Sequence, residues 1–169
     1  GEDLVMEYVQ PVNVVGEARL NVMGLGYIFR MAIDPLEIAR GGGSDPCEVN
    51  VNCPEGDEWQ CQRDSVVRLQ ITDGGNQFLC TGSLVNTTAK DCRQYMLTAL
   101  HCVEGISASD FNFLQCKFNY ERANCDGGPF SSSRNRTGAI LLADSNDGGG
   151  NSGSDFALFE IEDEINDAW

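Results

Sequence analysis

One side chain in this sequence can exchange a proton near neutral pH, the single histidine, His101. It closes the apolar run Leu97-Thr98-Ala99-Leu100-His101, and Cys102 follows it at once. A histidine at the end of an apolar strand suits general acid–base work only if something holds its ring in one orientation. Taken alone it reads as a hydrogen-bonded core residue. The eight cysteines are the second chemical resource. Metal-binding pairs stand close together, as in C-x-x-C, whereas the tightest spacing here runs from Cys47 to Cys53. With one histidine, a zinc cage would be almost all thiolate. Wide, irregular spacing reads better as disulfides, and disulfides imply an oxidising setting outside the cell.

These residues need a scaffold, and the composition bounds it. A length of 169 residues with 41% hydrophobic side chains is enough for one domain with its own core. No run approaches the roughly 20 apolar residues of a membrane helix. Against 11 basic residues stand 26 acidic ones, a net charge of -15, and that field repels both phosphate backbones and anionic lipid. Neither nucleic acid nor a membrane surface is therefore an expected partner.

Residues 1–31 lack cysteine and show short apolar runs at 4–9 and 20–23, followed by a helix signal from Asp34-Pro35 to Arg40-Gly41. The flexible stretch 41–46 marks a boundary, because every cysteine lies beyond it. From Cys47 onward the pattern is all-β. Strands are predicted at 65–71, 78–85, 94–99, 113–120, 138–143 and 155–161. Six short strands with long connections suit a closed antiparallel barrel or a sandwich.

Three strings carry a family resemblance: Cys80-Thr81-Gly82-Ser83-Leu84-Val85-Asn86, then Leu97-Thr98-Ala99-Leu100-His101-Cys102, then Ser154-Asp155-Phe156-Ala157-Leu158-Phe159-Glu160. Together they resemble the chymotrypsin/trypsin-like serine proteases. Within that class, 47–57 and 118–125 resemble the bacterial lysyl endopeptidase group. The resemblance implies that residues 47–169 form the N-terminal six-stranded Greek-key barrel of a double barrel, and that 1–40 are the end of a pro-segment. It implies His101 as general base and Asp155 as the acid that orients it. They lie 54 positions apart, against about 45 in the chymotrypsin arrangement. It also implies disulfides Cys80–Cys102 and Cys53–Cys125, with the partner of Cys47 beyond Trp169. Cys61, Cys92 and Cys116 are extra to that pattern, and their connectivity stays open.

The expected function is a secreted serine endopeptidase acting on polypeptides after lysine or another basic residue, with no cofactor and no metal. Its nucleophilic serine, oxyanion hole and specificity pocket are expected in a second barrel of the same precursor. Arg40-Gly41 is a candidate release site for the pro-segment. One string, Gly150-Asn151-Ser152-Gly153, imitates the nucleophile loop. If Ser152 were the nucleophile, Asp144 or Asp147 would have to orient His101. Ser152 precedes Asp155, however, and too little chain follows it for pocket walls, so 147–154 reads as a flexible loop. Its acids miss the EF-hand register for calcium. Cys102 as a protease nucleophile is disfavoured, because neighbours on a strand face opposite ways. The competing reading is a non-catalytic, disulfide-rich secreted binding module that keeps the barrel and lacks the serine.

Overall fold

A computed structural model describes residues 47–74, 76–130 and 134–162. The expectations for the pro-segment (1–40), the linker (41–46), the Arg40-Gly41 site and Trp169 lie outside the described residues. The described chain is mostly β. After a 3-10 helical stretch at Pro54–Trp59 and a short helix α1 (Gln60–Ser65), β1 (Val66–Asp73), β2 (Asn76–Val85) and β3 (Tyr95–Ala99) follow. A helical turn α2 (Ala108–Phe111) leads to β4 (Gln115–Phe118). Then come β5 (Arg122–Asn124), β6 (Gly127–Phe130), β7 (Arg134–Thr137), β8 (Ala139–Asp144) and β9 (Phe156–Ile161).

Seven strands form one antiparallel sheet in the order β7-β4-β1-β2-β3-β9-β8, and β5 and β6 form a separate hairpin. The segment β4-β1-β2-β3 is a Greek key, a three-strand meander whose fourth strand returns beside the first. Six strands are expected from sequence and nine are found among the described residues, the additional ones being β5, β6 and β7. β7 and β8 lie at opposite edges of the sheet, yet only Gly138 separates them in the chain. The Gly138 N–H donates to the Leu114 carbonyl (3.0 Å), and its own carbonyl accepts the Glu162 N–H (3.1 Å). One bent strand thus brings the two edges together, and the sheet curls into the barrel half of a chymotrypsin-like fold. The bend requires φ +93° at Gly138, and a Cβ there would stand 2.8 Å from Glu162 Oε2.

Alternation fills the interior. Val67, Leu69 and Ile71 of β1 are fully buried, with Arg68 and Gln70 on the other face. Met96, Phe118, Ala157 and Phe159 meet them from β3, β4 and β9. Burying each large side chain stabilises the barrel by about 1.5–3 kcal/mol. Ser107 caps α2 by accepting the Asp110 N–H (3.1 Å), and this fixes Phe111 edge-on to Phe159, ring centroids 6.4 Å apart. Trp59 is not core; it is 58% exposed on the helical stretch ahead of α1.

The pairing that matters for chemistry is β3 with β9. Its register runs from Tyr95 opposite Glu160 to Ala99 opposite Phe156. The residues just past β3 and just before β9 therefore emerge together at one end of the barrel.

Candidate active site

His101 leaves that end from β3, and Asp155 enters β9 beside it. The ladder is extended by one more bond, from the Leu100 N–H to the Asp155 carbonyl (3.0 Å). Asp155 then grips the next residue twice. Its Oδ1 accepts the His101 backbone N–H (2.9 Å), and its Oδ2 lies 2.6 Å from His101 Nδ1. Residues Leu100–Cys102 form a single 3-10 turn rather than a continuation of the strand. This corrects the expectation that His101 and Cys102 alternate on a strand, and it is the turn that swings the ring over Asp155.

The electrostatics fix the tautomer. The Asp155 carboxyl is held below its ordinary value, chiefly by the His101 backbone N–H; burial opposes this, and the ring and the Gly150 N–H add to it. An ionised carboxylate only accepts hydrogen bonds, so Nδ1 carries the proton of the neutral ring. The Nε2 lone pair then faces outward. The His101 side chain is 58% exposed against 16% for Asp155, and Nε2 has no partner among the described residues. Asp155 itself takes φ +48°, a left-handed conformation that costs a non-glycine residue stability and tends to cluster at functional sites.

The loop that leads into Asp155 is ordered around Asp147. Its Oδ1 accepts the Ser145 hydroxyl (2.8 Å) and the Gly149 N–H (3.1 Å), and its Oδ2 accepts the Asp155 N–H (3.2 Å). Sequence reasoning named Asp147 only as a possible partner of the ring; the structure puts it behind Asp155 instead, and neither it nor Asp144 bonds His101. The signal for its actual place was Ser145-x-Asp147 followed by glycines, a side chain that caps its own turn. Ser152 sits exposed in a 3-10 turn, Gly150–Ser152, and no bond joins its hydroxyl to His101 among the described residues.

Two disulfides brace this end and the base of the barrel. Cys80–Cys102 ties the turn carrying His101 to β2, and Cys53–Cys125 ties the N-terminal helical stretch to the β5–β6 turn. Cys102 is therefore not a free thiol beside the ring. Asn52 Nδ2 supports the second bridge by donating to the Arg122 carbonyl (2.6 Å). The remaining cysteines do not pair with one another. Cys47, Cys61 and Cys92 are exposed, and Cys116 lies in the core, where burial pushes its thiol up to about 12.

Comparison with known proteins now places this barrel. The family profile "Lysyl endopeptidase, C-terminal domain" matches residues 41–169, most of the chain. The chain belongs to the lysyl endopeptidase C-terminal domain family. Lysyl endopeptidase of Pseudomonas aeruginosa is 29% identical over 154 residues, covering 86% of this chain and 32% of that relative. The chain thus spans about a third of the length of the curated relative it matches. Membership of the lysyl endopeptidase family makes this a protease-like domain, and the His101–Asp155 contact lies within the matched region.

Proposed function

We propose that this chain contributes the first barrel of a secreted serine endopeptidase, with His101 as the general base and Asp155 as the acid that orients it. The observation that supports the reading best is the His101 Nδ1–Asp155 Oδ2 contact of 2.6 Å, with Nε2 left facing outward. In the proposed reaction a serine Oγ from a second barrel of the same precursor attacks the scissile carbonyl carbon while its proton passes to Nε2. The imidazolium that forms is stabilised by the adjacent carboxylate. It then gives the proton to the leaving amine as the C–N bond breaks, and water repeats the sequence to release the acyl group. Cleavage after lysine or another basic residue is proposed by likeness to the lysyl endopeptidase relative, and export is proposed with it, which the two disulfides favour.

An apolar strip on the outer face of β3, β9 and β8 supports a covering lobe. Leu97, Ile140, Leu142 and Phe156 are exposed there, and Phe156 directly follows Asp155. The second barrel is proposed to cover that face. The test is the full-length precursor treated with a fluorophosphonate. One covalent adduct on a serine downstream of Trp169, with loss of lysyl-peptide cleavage, is the expected result. A precursor that has no such serine, takes no label and cleaves nothing is a binding module, and the endopeptidase reading fails.

A further inference from the structure

We infer that Asp147 is a positioning residue for the acid–base pair, holding Asp155 and His101 in contact through the loop it organises. This inference rests on the role proposed for that pair. Three observations converge on it. First, Asp147 bonds both sides of the loop at once: its Oδ1 accepts Ser145 Oγ–H and the Gly149 N–H, while Oδ2 accepts the Asp155 N–H. Ser145 is in turn locked to β9, since its N–H donates to the Phe156 carbonyl (2.9 Å) and its Oγ accepts the Phe156 N–H (3.2 Å). The carboxylate therefore spans from the end of β8 to the start of β9.

Second, Asp155 needs this support. At φ +48° an aspartate is in a sparsely populated conformation, and a bond to its own N–H helps select it. Third, the bond to Gly149 presses the loop onto the histidine. A Cβ at Gly149 would lie 3.0 Å from the His101 backbone nitrogen and 3.1 Å from its Cα and Cβ, so only a glycine backbone fits there. Gly149 is buried and takes φ +69°. Asp147 thus acts on the pair from two directions, through the backbone of the acid and through the wall behind the base. None of its bonds reaches the His101 ring, so its effect on the pair is through geometry.

Because His101 is the only histidine in the chain, its Nδ1–H gives a single far-downfield proton resonance when it donates to a carboxylate. That resonance is the readout, with backbone amide dispersion as the measure of folding. Asp155→Asn is expected to abolish it in a folded chain. Asp147→Ala and Asp147→Asn are expected to lose or broaden it as well, since the amide of Asn turns a donor toward backbone N–H groups. Asp147→Glu, which keeps two acceptor oxygens, is expected to restore it in part. In the full-length precursor, Asp147→Asn should lower kcat by about 10- to 100-fold with KM changed less than twofold, the cost of a small misalignment.

A folded Asp147→Ala chain with the parental resonance overturns the inference while leaving the acid–base pair standing. A parent chain whose resonance survives Asp155→Asn overturns the pair and this inference together. Should Asp147→Ala fail to fold, Asp147→Asn replaces it: loss of the resonance in that folded variant supports the clamp, and its persistence refutes it.

Discussion

Removal of the two disulfides separates what holds the barrel from what holds the acid–base pair. Cys80 and Cys102 close a loop of sequence separation 22, and Cys53 and Cys125 one of 72. In the chain-entropy account the first bridge stabilises the fold by about 3.4 kcal/mol and the second by about 4.4 kcal/mol. The double replacements Cys80→Ala/Cys102→Ala and Cys53→Ala/Cys125→Ala are best made with Cys47, Cys61 and Cys92 changed to serine, because those exposed thiols would otherwise exchange with the bridge that remains. Urea unfolding followed by tryptophan fluorescence reads the loss. With a slope near 2 kcal/mol/M, the midpoints should fall by about 1.7 and about 2.2 M. The Nδ1–H resonance of His101 should nevertheless persist in the folded Cys80→Ala/Cys102→Ala chain. Asp155 holds the turn by its own bonds to the Leu100 and His101 amides and to the ring, none of which passes through sulfur. A loss below about 1 kcal/mol, or a larger loss for the shorter loop, refutes the entropic ranking. Disappearance of the resonance in a folded chain refutes the claim that the acid, rather than the bridge, positions the ring.

Asp155→Asn in the full-length precursor should lower kcat by about 10⁴-fold with little change in fold, because asparagine tolerates left-handed backbone but leaves the ring in the wrong tautomer; steady-state cleavage of a lysyl peptide and circular dichroism check both halves. Asp155 and Asp147 both have carboxyls held below their ordinary values, Asp155 chiefly by the His101 backbone N–H and Asp147 chiefly by the Ser145 hydroxyl. The unfolded chain therefore binds more protons than the folded one as pH falls. Their contribution is complete above the ordinary carboxylate value of about 3.9 and declines as pH drops through the lowered folded values. Denaturant midpoints should fall across that acid range in the parent, and less steeply in Asp147→Asn. Cys116, buried on β4 between β1 and β7, should resist a thiol-reactive disulfide reagent at pH 8 until the chain unfolds, whereas Cys47, Cys61 and Cys92 react in the native state.

All six strands read from alternation and turn residues are present, since β1 and β9 bury every second side chain and leave that period in the sequence. The β5–β6 hairpin and β7 were not legible. Arg122-Ala123-Asn124 and Arg134-Asn135-Arg136-Thr137 are polar and short, and β6 carries Pro129, so pairing with neighbours makes these strands rather than any pattern of their own. The kink at Gly138 was hidden because nothing in the apolar run 138–143 signals that the polar residues just before it continue the strand and pair with β4. His101 stood out as a lone histidine. Its partner Asp155 came from the family resemblance, as did the cysteine pairs, because antiparallel register between strands so distant in sequence leaves no local trace. Asp147 was visible as a turn former, but its hold on the Asp155 amide depends on a loop path that residue types alone do not specify.

The two rims of the sheet meet at one glycine. Its two amide bonds each continue a ladder, one to Leu114 beyond the β4–β7 pairs and one to Glu162 beyond the β8–β9 pairs, so it is the covalent chain that joins the rims. Local opening should start at these ladder ends, and the Gly138 and Glu162 amides should exchange with deuterium sooner than those in the β1–β2 ladder. Fraying at those ends leaves β3 zipped to β9, so it does not draw the carboxylate away from the imidazole.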